Sequence, residues 1–143
     1  PAHSTGTVTA EDVNQVIADA LALLTVTYGR LFFEAAKAVK ELPKHNINAK
    51  VLKLNRIKPV DPDALKEAMN AKHIFFYEEG VRSGGIGEKF AAELLQHGYK
   101  GCYDITAVED CFVKQAKVPE LIKQYKFDSE SMVNKIVEKM TEV

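Results

Sequence analysis

Apolar and polar positions follow two periodicities that alternate along the chain. Short apolar runs, typical of strands buried on both faces, occupy residues 21–28, 49–54, 73–77 and 101–107. The stretches that follow them repeat apolar residues at helical spacing. Such an alternation with short linkers predicts βαβ units. We therefore expect an α/β fold, a three-layer α/β/α sandwich with a mixed, mostly parallel sheet of four to five strands.

Local signals mark where the predicted helices begin and end. Pro43 stops a helix over residues 30–42, and Asp61 caps a short helix that has Pro62 in its first position. Gly98 ends the next helix in a left-handed conformation, and two more helices close the chain. The predicted buried residues are Phe32, Ala35, Ala36, Val39 and Leu42, then Leu65, Ala68 and Met69, then Ile86, Phe90, Ala91, Leu94 and Leu95, and finally Met132, Val133, Ile136, Val137 and Met140.

The first twenty residues fit two interpretations. Residues 9–12 resemble a capping box and residues 13–20 keep helical spacing, but residues 14–19 fit a short edge strand equally well. The sequence starts at Pro1 without an initiating methionine, as a piece cut from a longer protein would. We expect residues 1–12 to be a leader, a linker or a cloning remnant, and residues 13–143 to form one domain.

Charge and composition narrow the class of protein. The net charge is −1 over 143 residues, and interspersed lysines and glutamates disfavour a nucleic-acid or anionic-membrane surface. No apolar run reaches the ~18 residues of a membrane span, and no secretory signal opens the sequence. Cys102 and Cys111 lack the spacing of metal ligands. We predict that both are reduced thiols in the core of a cytoplasmic protein.

Residues 83–87, Ser-Gly-Gly-Ile-Gly, form a glycine-rich turn between the third strand and its helix, and we call this turn the glycine corner. Gly84, Gly85 and Gly87 allow positive φ angles and close approach of other groups. Either the amides at the start of the helix bind an anion, or the turn is only a tight corner. The corner lacks the ending of a P-loop, and its spacing does not match the dinucleotide-binding GxGxxG motif.

Glu78 and Glu79 follow the third predicted strand. They lie at the carboxyl edge of the sheet, where ligands usually bind in open α/β folds. Because adjacent strand residues point to opposite faces, the two carboxylates cannot form a general acid/base pair. At most one of them faces a crevice, and the other accepts hydrogen bonds from a neighbouring loop or domain.

Basic residues follow the same predicted strand ends. Arg56 and Lys58 follow the second strand and Arg82 the third, so they converge on one edge of the sheet. They either bind a phosphate or pair with Glu78, Glu79 or Asp61. The histidines and Cys111 show no triad or metal-ligand spacing. We therefore predict no catalytic residue and no metal site in this chain alone.

Four segments together resemble the C-terminal domain of the transketolase family, and most closely that of the 1-deoxy-D-xylulose-5-phosphate synthases. They are TVTYGRLFFEAAKAV (25–39), NRIKPVDPDAL (55–65), EEGVRSGGIGEKF (78–90) and an acidic-aromatic segment (108–115). The last segment lacks the His-Gly that often follows in the synthases. The resemblance implies a five-stranded sheet whose first strand is antiparallel, which favours the edge strand within residues 14–19.

The resemblance also implies a function that this chain does not carry out alone. The family moves two-carbon units with thiamine diphosphate and magnesium, which two other domains hold with a Gly-Asp-Gly motif that these 143 residues lack. The synthases condense pyruvate with glyceraldehyde 3-phosphate on the route to isoprenoids. We expect a non-catalytic C-terminal domain or small subunit that joins the cofactor-binding domains and buttresses a homo-oligomer. The alternatives are a docking domain like that of 2-oxoacid dehydrogenase β subunits, or a free-standing anion-binding regulatory domain.

Overall fold

Strands and helices alternate through residues 23–109 and 117–141, the part of the chain that the computed structural model describes. The strands are β1 (Leu23–Thr27), β2 (Lys50–Lys53), β3 (His73–Val81) and β4 (Cys102–Val108). The helices are α1 (Leu31–Glu41), α2 (Pro62–Met69), α3 (Ile86–Gln96), α4 (Val118–Gln124) and α5 (Ser129–Thr141), and a 3-10 turn (Leu42–His45) follows α1. The predicted alternation is confirmed.

The four strands form one sheet in the order β2-β1-β3-β4, and every described pair is parallel. Thr25 in the central β1 lies opposite Val51 of β2 and Phe75 of β3. All five residues of β1 are buried, as a strand covered on both faces requires. The antiparallel edge strand expected within residues 14–19 and the leader over residues 1–12 lie outside the described residues.

Helices cover both faces of the sheet and bury two apolar clusters. On one face, α1 and α5 pack over Leu23, Phe75 and Tyr77. On the other, α2 and α3 pack over Ile74 and Phe76. Odd-numbered and even-numbered residues of β3 thus serve opposite layers, because side chains alternate along a strand. The predicted three-layer α/β/α sandwich is confirmed.

The buried face of α1 is rotated by about one residue from the predicted face. Leu31, Ala35, Ala38 and Leu42 are buried, whereas Phe32 is only partly buried. The face shifts because the helix opens with a leucine that enters the core, and small alanines then allow α5 to approach closely.

Three other predicted core positions are wrong. Leu95 is 68% exposed and Met140 is 40% exposed, and each lies in the last turn of its helix. Cys102 is also exposed; it is the first residue of β4, the last strand of the described sheet. Cys111 lies outside the described residues.

Local sequence signals set the helix ends as predicted. The Asp61 carboxylate accepts a hydrogen bond from the Asp63 amide at 3.0 Å, so it caps α2. Gly98 has φ +86°, the left-handed value expected after α3. Pro43 lies in the 3-10 turn that ends the first helix. Among residues 23–109 and 117–141, no helix combines the length and apolar character that crossing a bilayer demands.

Candidate functional site

Strand β3 continues four residues beyond the predicted end, so Glu78 and Glu79 lie inside the strand and not after it. The extension is stabilised by β4, which shifts register so that Val81 lies opposite Val108. The Arg82 amide also donates to the Val108 carbonyl oxygen at 2.8 Å. Local sequence could not show this pairing because the two segments are far apart in the chain.

Glu78 is 1% exposed, and its carboxylate caps helix α3. Oε1 accepts a hydrogen bond from the Gly87 amide at 3.0 Å, and Oε2 accepts one from the Ile86 amide at 3.1 Å. Oε2 also accepts a hydrogen bond from the Tyr28 hydroxyl at 2.9 Å. Burial and the adjacent Glu78 carboxylate raise the pKa of Tyr28, so this hydroxyl stays a donor. The carboxylate therefore meets the positive end of the α3 dipole with three donors.

The Gly84 and Gly85 amides of the glycine corner also have acceptors within the chain. The Gly84 amide donates to Glu88 Oε1 at 2.6 Å, and the Gly85 amide donates to the Arg82 carbonyl oxygen at 3.1 Å. An external anion at this helix terminus would have to displace a carboxylate of the chain itself. Binding of an anion at Gly84, Gly85 and Gly87 stays a prediction, and Glu78 is its competitor.

Space and backbone geometry explain why these positions are glycines. A Cβ atom on Gly85 would lie 2.5 Å from the Val81 carbonyl oxygen, which is closer than any real contact allows. A Cβ atom on Gly87 would lie 3.0 Å from the Phe76 ring. Gly84 has φ +72°, a left-handed conformation that other residues adopt with strain. The glycines are thus required for the close packing of β3 against α3.

Glu79 and Arg82 form ion pairs at the carboxyl edge, each with a partner that sequence analysis missed. Glu79 points away from Glu78, as predicted, and accepts a hydrogen bond from the Arg30 guanidinium. This hydrogen bond raises the pKa of Arg30. Arg82 pairs with Glu109 at 2.9 Å. The Arg30–Glu79 pair could have been predicted, because Arg30 follows β1, which lies beside β3 in the sheet.

Arg56 and Lys58 do not meet Arg82, although all three lie at the carboxyl edge. Both residues are exposed in the loop after β2. Strand β1 separates β2 from β3, so the two loops start about 10 Å apart. Arg82 also turns the other way, towards β4. Within residues 23–109 and 117–141, neither Arg56 nor Lys58 forms an ion pair. The three basic residues therefore share the carboxyl edge of the sheet but do not form one cluster.

The carboxyl edge also exposes apolar surface. Phe33, in the first turn of α1, is 65% exposed, and Val81 at the end of β3 is 43% exposed. Beside them, the Arg30–Glu79 pair lies over a cavity of about 120 Å³ whose other walls include Leu121 of α4. Exposed apolar side chains beside ion pairs are typical of a surface that contacts another protein.

His73 and Asp104 form a third pair that the sequence did not predict. The His73 Nε2 lies 2.7 Å from Asp104 Oδ2, and the His73 ring stacks on Phe75 with centroids 4.2 Å apart. The two residues are 31 positions apart and meet only because β3 and β4 are parallel neighbours. In the described part of the chain, no three histidine, cysteine or carboxylate side chains cluster as metal ligands would.

The family described as "Transketolase, C-terminal domain" matches residues 15–132, most of the chain. The chain belongs to this family. The match spans every described strand, the glycine corner and the start of α5, so the likeness covers the sandwich except for most of its last helix.

Relatives of this C-terminal domain come from transketolases and synthases. A protein of Methanocaldococcus jannaschii described as a transketolase C-terminal section is 26% identical over 88% of this chain and 39% of its own length. The 1-deoxy-D-xylulose-5-phosphate synthase of Clostridium beijerinckii is 31% identical over 80% of this chain but 19% of its own length. The chain thus spans about two fifths of the first relative and one fifth of the second.

Solved structures agree with the family. One titled "Split gene transketolase, inactive beta4 tetramer" is 26% identical, has a TM-score of 0.68, and covers 82% of this chain and 37% of its own chain. The transketolase of Campylobacter jejuni is 14% identical with a TM-score of 0.56, over 82% of this chain and 17% of its own, and supports the fold alone.

Proposed function

We propose that this chain is the C-terminal domain, or a separate small subunit, of a cytoplasmic transketolase-type enzyme that depends on thiamine diphosphate. We further propose that the enzyme is a 1-deoxy-D-xylulose-5-phosphate synthase. The observation that carries the proposal is the family match over residues 15–132 combined with the short share of each relative that the chain spans. The cofactor, which supplies the carbanion chemistry of two-carbon transfer, would be held by the remaining domains.

The glycine corner itself does not fit the diphosphate of that cofactor. The Ile86 and Gly87 amides already bind the Glu78 carboxylate, and a diphosphate beside a buried negative charge would be repelled. The described residues thus favour a role in assembly over a role in chemistry.

The carboxyl edge is the surface that we propose for docking to the cofactor-binding domains and for completing the dimer. It combines the exposed Phe33 and Val81 with two ion pairs, Arg30–Glu79 and Arg82–Glu109. An apolar centre with a charged rim is the usual anatomy of a protein interface. Exposed Leu95 lies at the opposite end of α3 and offers a matched control.

The test starts with the protein that carries a Gly-Asp-Gly motif and is encoded upstream of, or beside, this chain. We expect the chain alone to give no binding heat with thiamine diphosphate and magnesium, and no condensation of pyruvate with glyceraldehyde 3-phosphate. The two proteins together should co-elute, bind the cofactor and turn over. Micromolar cofactor binding by the chain alone, or the absence of any such neighbouring gene, would contradict the proposal.

Variants locate the docking surface in the same assay. Phe33→Asp places a charge at the centre of the proposed interface and should weaken association by about tenfold or more. Leu95→Asp changes a side chain of equal exposure at the far end of the domain and should leave association unchanged. Equal effects of the two variants would place the interface elsewhere. Co-elution without synthase activity would retain the assembly role and reject the synthase.

A further inference from the structure

Helix α5 and strand β4, at the edge of the described sheet, line a cavity of about 400 Å³ that is separate from the glycine corner. Its α5 wall presents residues 134, 135, 138 and 139, whose spacing of three and four places them on one helical face. Thr106 of β4 and Lys126, in the turn before α5, complete it. A cavity of this volume is in the range of small-molecule sites.

The walls of this cavity carry an excess of positive charge. Lys126, Lys135 and Lys139 line it, and Glu138 is the acidic residue among the lining. Asp128 lies nearby, but its carboxylate caps α5 by accepting hydrogen bonds from Ser131. Because the whole chain has a net charge of −1, the excess is local and not a property of the surface in general.

Lys135 is the unusual member of the cluster. It is partly buried, and its ammonium donates to the neutral Thr106 hydroxyl. Among residues 23–109 and 117–141, no carboxylate lies within salt-bridge distance of Lys135. Asp104, which acts on it from further away, contacts His73 at 2.7 Å and Lys139 at 3.9 Å. Burial is the main cause that lowers the pKa of Lys135; the Asp104 carboxylate opposes this shift, and the cations Arg82, Lys139 and Lys126 add to it.

Tyr77 lies beside this ammonium but does not line the cavity. Its side chain is fully buried, and its hydroxyl lies close to the Thr106 side chain. Tyr77 is the register partner of Thr106, and the Lys135 ammonium lies 6.0 Å from the centre of its ring. Buried charges are nearly always paired, so a partly buried ammonium whose acceptor is a neutral hydroxyl favours an anion in the cavity beside it.

We propose that this cavity binds a small anion that carries a phosphate group, with Lys135 at its floor and Lys126 and Lys139 at its mouth. A phosphate monoester carries a charge of about −1.5 to −2 at neutral pH and several acceptor oxygens, which suits three ammonium groups better than a single carboxylate does. The cavity also has room for a few carbon atoms beside the phosphate. The site belongs to this chain alone and does not depend on the proposed enzyme.

The test is a titration of the full chain followed by NMR at constant ionic strength. The probes are inorganic phosphate, glycerol 3-phosphate and, for comparison, acetate. We expect saturable shifts of the amides of Thr106, Lys126 and residues 131–139, with both phosphate compounds binding more tightly than acetate. Tighter binding of glycerol 3-phosphate than of inorganic phosphate would identify an ester as the natural class, and the reverse would identify the free ion.

Substitutions distinguish a built site from general charge attraction. Lys135→Met keeps the apolar stem and should weaken phosphate binding by about tenfold or more. Lys89→Met removes an exposed lysine on α3 and should change binding less than twofold. If Lys135→Met does not fold, Lys139→Met serves instead and should weaken binding several-fold. Equal effects of the α3 and α5 variants, equal binding of acetate, shifts at the glycine corner, or no saturable shift would each overturn the proposal.

Discussion

Replacement of Glu78 tests whether the glycine corner is stabilised by a carboxylate of the chain itself. Glu78→Ala removes the acceptor of three hydrogen bonds, from the Tyr28 hydroxyl and the Ile86 and Gly87 amides. The Gly87 amide is buried, so it has little access to replacement water. Hydrogen bonds to charged groups contribute about 1.5–3 kcal/mol each. The desolvation of the carboxylate opposes part of this gain.

The expected loss is therefore smaller than the sum of the three hydrogen bonds. Removing one side of a buried charged network typically costs about 3–5 kcal/mol, and we expect about 4 kcal/mol for Glu78→Ala. Glu78→Gln keeps the shape and one acceptor oxygen. Its amide group can donate to the Tyr28 oxygen but opposes the Ile86 amide, so we expect a loss of about 1–3 kcal/mol.

The neighbouring Glu79 is the matched control. Its ion pair with Arg30 is solvent-exposed, and such pairs contribute about 0–1 kcal/mol. Urea unfolding followed by circular dichroism gives the free energy of unfolding for Glu78→Ala, Glu78→Gln and Glu79→Ala. Hydrogen exchange of the Ile86 and Gly87 amides should accelerate in the Glu78 variants only. A Glu78→Ala loss within about 0.5 kcal/mol of the Glu79→Ala loss would refute the reasoning.

Two further predictions follow from the same packing. Gly85→Ala should destabilise the fold by about 1–3 kcal/mol in urea unfolding, because its Cβ would lie 2.5 Å from the Val81 carbonyl oxygen. The control is Gly80→Ala, whose Cβ would have no contact closer than 3.5 Å and which should destabilise the fold clearly less. A larger loss for Gly80→Ala than for Gly85→Ala would contradict this reasoning. Burial raises the pKa of Tyr77 and of Tyr103, so the folded chain keeps both protons where the unfolded chain loses them. The free energy of unfolding should therefore be unaffected by them below pH ~10 and fall above it by about 1.4 kcal/mol per pH unit for each. Urea curves at pH 9, 10 and 11 measure this, and a flat profile would show that neither hydroxyl is protected.

The sequence was sufficient for the fold because the signals of the fold are local. Apolar runs gave the four strands, and the cap at Asp61 needs only the amide two residues ahead. The rotated buried face of α1 and the exposure of Leu95 were not predicted, because both depend on which other element packs against the helix. A helical pattern with apolar residues on several sides, as in residues 31–39, does not reveal which side meets the sheet.

The candidate site was predicted less well because its contacts span long distances in the chain. Glu78 was placed at the correct edge, but its partners are nine residues ahead and fifty residues behind. The His73–Asp104 pair depends on the register between β3 and β4, which no local pattern specifies. The role of Lys135 was not predicted for the same reason. From sequence alone, a lysine in an amphipathic helix is expected to be solvated, and only the fold shows the cavity beside it.

Because the Glu78 carboxylate caps α3, the glycine corner is no longer evidence for a bound ligand. In a phosphate-binding turn, the amides at the helix start face a ligand and the dipole favours added negative charge. Here the chain supplies that charge from a buried position, and Gly85 is required because its backbone passes against Val81 and the carboxylate. A glycine-rich sequence is thereby explained without a ligand. The corner fixes β3 to α3 next to the carboxyl edge, the surface that we propose for docking.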